Sequence, residues 1–309
     1  MISQKNMENR AYRLEDFKVV PRTIPIVRTP TFPIGDFGRA FYDLMKKDAE
    51  TNFPENKYIF PLQIDEQTGE VSQSNLFTVA RTQQIIPASL GITPVSLAGS
   101  ADLEILHMTE GRHYLDIPAT VLRSTKDRVN SKNEPLAKYL AEHIEGFSSD
   151  KPAFVRGFGV EAWPEDENGY QLKLVPLNGE SLDILLDERF SFKYNGWKFT
   201  KVDEKGIPTD LTDPENFKGK NGRTWHTRSD GLSRVFVYLN DDVYSDGDHL
   251  ALSYEYGRVA FVSAEGARAQ NFSVSDLIKE AQRKELVSKL QSTREYLSNL
   301  ERQIASESP

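Results

Sequence analysis

Four Asn-Gly pairs, at 168–169, 178–179, 195–196 and 221–222, fall between Ala153 and Val262. Asn-Gly favours the tight reversals whose twist matches a β-hairpin, because both residues tolerate positive φ. A stretch punctuated in this way reads as short strands joined by turns, not as helices. The sharpest instance is FSFKY-NG-WKFTKV. A two-residue turn there predicts that Tyr194 faces Trp197 and Phe192 faces Phe199, an aromatic ladder on one face. Further on, SRVFVYLN and HLALSYEY read as strands joined by an acidic loop at 241–248, and Gly257 leads into RVAFVSA. The spacing predicts an antiparallel sheet or sandwich over residues 151–265.

The first half is mixed. Residues 1–34 read as an extended arm, since Pro21, Pro25, Pro30 and Pro33 lack amide donors and push their predecessors toward extended geometry. Val19, Val20, Ile24, Ile26 and Val27 lie before and between the prolines, which suits an arm laid on a surface. Residues 35–150 read as an α+β region. Phe37, Ala40, Phe41, Leu44 and Met45 give a helix over 36–48 its apolar face. Tyr58 to Val79 reads as extended with a turn at Gln67-Thr68-Gly69, and Leu103 to Ile117 as a hairpin. A helix over 135–144 presents Leu136, Tyr139, Leu140 and Ile144, with Gly146 as its stop.

Residues 272–306 carry a heptad seam: Leu286, Leu290, Leu297, Leu300 and Ile304, with Thr293 filling one gap. Ser273 and Asp276 form an approximate capping box. The expectation is one long amphipathic helix whose narrow apolar stripe needs a second surface. Lys289 and Arg294 would meet their like charges in a parallel homodimer, which favours an antiparallel pairing, a trimer or a foreign helix.

The 309 residues carry a formal net charge of -8 and no cysteine. The absence of cysteine excludes disulfides, thiolate zinc sites and cysteine nucleophiles. The acidic balance argues against a dedicated nucleic-acid binder, which needs clustered Lys and Arg. The polar start has no secretion-type apolar core and no run is long enough to span a membrane, so a cytoplasmic or virion setting is expected, with no membrane partner.

Three patterns are candidate chemistry. Two histidines and a carboxylate, His226, Asp230 and His249, flank a predicted strand and suit a facial triad for a divalent metal of the non-haem iron type. Asp241, Asp242, Asp246 and Asp248 offer oxygens to calcium without the ligand alternation of an EF-hand. Glu104-x-x-His107 and Glu110-x-x-His113 have helical metal-site spacing but fall on a predicted hairpin, where positions three apart point to opposite faces. The segment FKGKNGRTWHTR interleaves Lys218, Lys220, Arg223 and Arg228 with Phe217 and Trp225, a pattern that holds phosphates and stacks bases. No phosphate-binding loop or nucleophile-elbow motif is present.

The fold expected is α+β: a mainly antiparallel β core behind an extended arm, with a long carboxyl-terminal coiled-coil helix. The leading function is a non-catalytic structural or assembly subunit, associating through the helix and the arm with itself or another protein, as in a phage or other large particle. No cofactor is expected on that reading. The alternatives are a metal-dependent enzyme using His226, Asp230 and His249, and a nucleic-acid adaptor using the 217–228 loop.

Overall fold

The computed structural model describes residues 30–86, 92–94, 114–177, 181–202, 207–220, 222–238 and 242–263, with Leu290, Arg294, Leu297 and Arg302. Among the described residues the α-helical elements are α1 (Gly35–Asn52), α2 (Leu76–Ile85) and α3 (Glu134–His143). The strands are β1 (Pro30–Thr31), β2 (Gln63–Ile64), β3 (Val71–Ser72), β4 (Ile92–Pro94), β5 (Tyr114–Leu122), β6 (Ala153–Arg156), β7 (Phe158–Ala162) and β8 (Leu172–Pro176). They continue as β9 (Asp183–Leu186), β10 (Trp197–Phe199), β11 (Arg223–Thr227), β12 (Leu232–Val237), β13 (Val243–Gly247), β14 (Gly257–Arg258) and β15 (Phe261–Ser263).

The centre is an eight-stranded sheet in the order β10-β11-β13-β12-β5-β6-β9, with β14 beside β5. It is a curled, half-barrel sheet, and it is mixed where an antiparallel core was expected. The cause lies in one hairpin. β13 folds back antiparallel to β12 and inserts between β12 and β11, which makes it parallel to β11. β14 likewise runs parallel to β5 at Tyr114 and Leu115, next to the length of β5 that β6 occupies. The expected acidic loop is thus partly strand: Val243 and Ser245 are buried in mid-sheet. The expected strand HLALSYEY is irregular, with Leu250 anchored in the core.

The long helix over 272–306 is also corrected. Among the described residues there is no long carboxyl-terminal helix. Leu290 and Leu297 are described, and both are about half exposed. All four described residues of that stretch, Leu290, Arg294, Leu297 and Arg302, are individually helical, and the two leucines bury little of their apolar area. Leu286, Leu300 and Ile304 lie outside the described residues, as do residues 1–29 of the arm and Leu103 to His113.

Asn195 and Gly196 adopt positive φ as the turn requires, 63° and 71°. The ladder does not follow. β10 pairs forward with β11, placing Trp197 opposite Trp225. Upstream, Asp187 caps a short 3-10 turn at Glu188–Phe190 through the Arg189 amide. That turn drives Phe190 into the core, 5.7 Å from the Phe154 ring and 5.6 Å from Trp225. Phe192 and Tyr194 are left exposed. Burying one ring fully against two others outweighs a half-buried ladder, since the gain follows the area removed from water.

One face of the sheet gathers Leu115, Ile117, Ala119, Val121, Phe154, Phe199, Trp225, Val235, Val237 and Val243. A second core joins α2, α3 and the β7–β8 hairpin to Leu122 and Leu232 through Phe77, Leu136, Leu140 and Tyr170. A third ties α1 to Val71, Val79 and Phe261. There α1 crosses the Gly69 turn so closely that a Cβ on Gly38 would lie 1.9 Å from the Gly69 carbonyl oxygen.

Candidate functional site: an aromatic face around a caged arginine

Alternation along the strands sends a second set of side chains to the opposite face. On β5 these are Tyr114 and Asp116, on β12 Arg234 and Phe236, on β13 Tyr244, and on β11 His226. Their odd-numbered neighbours Leu115, Val235, Val243 and Trp225 fill the core. The register lines four of the six into one rung: His226 opposite Tyr244, Tyr244 opposite Phe236, and Phe236 opposite Asp116.

The rings form a continuous ribbon. His226 stacks on Tyr244 at 4.2 Å, and Tyr244 on Phe236 at 5.1 Å with 8° between planes. Phe236 meets Tyr114 at 4.7 Å, and Tyr114 meets Tyr254 edge-on at 5.4 Å. Tyr238 leans edge-on against both Tyr244 and Tyr114. Each such pair adds roughly 0.5–1.5 kcal/mol beyond its buried area.

Arg234 sits beneath this ribbon. Its guanidinium lies 5.2 Å from the Tyr114 ring, 5.1 Å from Phe236 and 5.6 Å from Tyr254. Nη1 donates to Asp116 Oδ1 at 3.0 Å and to the Leu252 carbonyl at 2.6 Å. Asp116 also accepts from Ser74 Oγ at 2.8 Å, which ties the segment before α2 to the sheet. The buried Nε of Arg234 finds no acceptor among the described residues. Burial pushes the Asp116 carboxyl up to about 6, and the Arg234 charge opposes that rise without cancelling it. Burial, and then the Asp116 charge, also raise the Tyr114 phenol. At the far end of the rung, Asp242 accepts from the Thr224 amide at 2.7 Å and lies 3.2 Å from His226 Nε2. Burial works against its ionisation, but the His226 and Thr224 hydrogen bonds prevail and hold it below its ordinary value.

The outer rim is open. Tyr238, Tyr254, Tyr256 and Leu252 are 46%, 48%, 59% and 37% exposed. They converge on one place, for Tyr238 and Tyr254 both touch Tyr114, Leu252 bonds Arg234, and the Tyr256 carbonyl accepts the Tyr114 amide.

The metal candidates are placed apart in function. His226 is taken up by Tyr244 and Asp242. Asp230 accepts from Arg228 and pairs with Arg128 at 3.0 Å. His249 lies 3.2 Å from the Asn130 amide nitrogen and 3.6 Å from Asp248. Among the described residues no group of three or more His, Asp and Glu side chains gathers as a metal site. Glu104, His107, Glu110 and His113 lie outside those residues. In the 217–228 segment, Lys218 and Lys220 are exposed and Arg223 is half-buried. Trp225 is fully buried, and Arg228 is buried on Asp127 at 2.6 Å. A second polar knot surrounds that pair: Asn133 donates to Asp127 and to the Leu232 and Asp248 carbonyls, and Tyr170 donates to Asn133. These bonds join α3, the sheet and the β7–β8 hairpin, a structural task.

Sequence reasoning missed the aromatic face. The signal was available in RVFVY, where apolar residues occupy both parities of one strand, the pattern of a strand covered on both faces. Neither a family model, a curated protein nor a solved structure matches this chain. No described helix is long and apolar enough to cross a membrane.

Proposed function

We propose that this chain is a non-catalytic assembly subunit that associates with its own kind through the aromatic face. The observation that carries this reading is the convergence of Tyr238, Tyr254, Tyr256 and Leu252 at the surface, above a rigid base of stacked rings and a buried arginine. Tyrosine is enriched in protein interfaces because it offers large, stiff, amphipathic area at small entropic cost. A side chain already fixed by its neighbours loses little more on association. The β-sheet backing meets that condition. This reading keeps the function expected from the sequence and moves its surface from the carboxyl-terminal seam to the sheet.

The test is the mass of the full chain by light scattering across a range of concentrations, beside Tyr238→Ala/Tyr254→Ala. Both rings are about half exposed, so their loss leaves the core in place. The wild type is expected to grow beyond one copy and the variant to stay monomeric with an unchanged circular dichroism spectrum. A wild type that is monomeric throughout refutes the proposal, as does a double variant that associates equally well.

A further inference from the structure

We infer that the segment seated on the aromatic face is the amino-terminal arm, residues 1–29, of a second copy. The inference rests on the association reading and names its partner. Three observations support it. The first is charge. Residues 30–263 contain 25 basic and 36 acidic residues, whereas residues 1–29 contain six basic and three acidic. The arm is a cationic segment joined to an anionic body, and opposite charge steers and orients such an encounter. The second is the chemistry of the face. It already holds one guanidinium among Tyr114, Phe236 and Tyr254, and Tyr254 is about half exposed. Glu255, exposed between Tyr254 and Tyr256, adds a carboxylate at that rim. Aromatic faces attract Arg and Lys by their negative centres, and more so where water is thinned.

The third is the pattern of the arm. KVVPRTIPIVR, from Lys18 to Arg28, sets prolines at 21 and 25 among Val, Ile and Arg. Proline-bearing extended segments dock on aromatic-lined surfaces because their backbone is pre-shaped and has little entropy to lose. Its valines and isoleucines suit Leu252 and the tyrosine rings, and Arg22 and Arg28 suit the carboxylate and the ring faces. Reach sets no limit: 29 residues at ~3.3 Å each span about 95 Å. An arm of one copy on the face of the next is a head-to-tail contact, which builds rings or open filaments.

Two full-length variants test this. In one, Arg13→Glu/Arg22→Glu/Arg28→Glu reverses the arm's charge and leaves the face intact. In the other, Tyr238→Ala/Tyr254→Ala removes the face and leaves the arm intact; Tyr256→Ala replaces it if the double variant does not fold. Mass photometry is expected to show each variant alone as a monomer and their mixture as a two-copy particle, since one supplies the arm and the other the face. The mixed particle is expected to weaken by roughly tenfold or more from low to high salt. An arm variant that assembles like the wild type, while the face variant does not, overturns the arm and leaves the association reading standing. Two monomeric variants whose mixture stays monomeric also overturn it. A wild type that never associates removes both readings together.

Discussion

Asp116→Asn separates two accounts of the buried pair with Arg234. The pair looks like a stabilising ion pair, 3.0 Å apart and bonded further to Ser74. Yet burial pushes the Asp116 carboxyl up to about 6, from an ordinary 3.8. The desolvation of the carboxylate therefore exceeds its attraction to Arg234. A raised folded value means that the native chain holds a proton the unfolded chain has lost, between about pH 4 and about pH 6. The stabilisation is fully present below about pH 4 and is lost as pH rises through about 6. Two units at ~1.36 kcal/mol each give about 3 kcal/mol. Asparagine imitates the neutral carboxyl at every pH.

Urea unfolding of both chains at pH 4, 5, 6 and 7 (about one unit apart, to bracket the transition) measures the difference. Below about pH 4 the two stabilities are expected to agree to within ~1 kcal/mol, and by pH 7 the variant is expected to lead by up to about 3 kcal/mol. Asp65, Asp127, Glu134, Asp187, Asp210 and Asp242 have lowered values and act in the opposite sense, losing stability as pH falls. They are common to both chains and cancel in the difference. The opposing account treats the pair as a net stabiliser, whose breaking leaves a buried cation at a cost of ~3–5 kcal/mol. A variant less stable than the wild type at pH 7 by that amount refutes the argument, as does a difference that is flat with pH.

Gly38→Ala places a methyl 1.9 Å from the Gly69 carbonyl oxygen, a backbone atom that cannot swing aside. Overpacking of this kind costs about 1–3 kcal/mol, read as a lowered melting temperature. Arg123→Lys removes a fully buried fork that donates to the Phe190 and Ser245 carbonyls and to the Ser233 and Ser245 hydroxyls. A single ammonium cannot reach all four, so a loss of ~2–4 kcal/mol in urea is expected.

The local content of the chain was legible where a short-range rule decides it. Apolar spacing placed α1 and α3, Gly146 has the positive φ of a stop, and Asn195-Gly196 makes its turn. Partnership was not legible. The same turn could close a hairpin or launch β10 toward β11, and the choice fell to Phe190, whose burial depends on Trp225 far along the sequence. The parallel pairing of β11 with β13 depends on where a hairpin inserts, and strand composition carries no record of that. The heptad seam names a face that needs covering and says nothing of what covers it, and its two described leucines, Leu290 and Leu297, are about half exposed. The aromatic face was hidden by a habit of reading one buried side per strand. Arg234, buried and even-numbered among odd-numbered core valines, was its clearest trace.

The pairing of β5 with β12 has a consequence for synthesis. Leu122 waits for Leu232, about 110 residues later. At ~5–20 residues per second, a ribosome leaves that apolar edge unzipped for roughly 5–20 s. Nascent chains stalled before residue 232 should therefore be the ones that chaperones retain, and release should coincide with emergence of β12 from the exit tunnel.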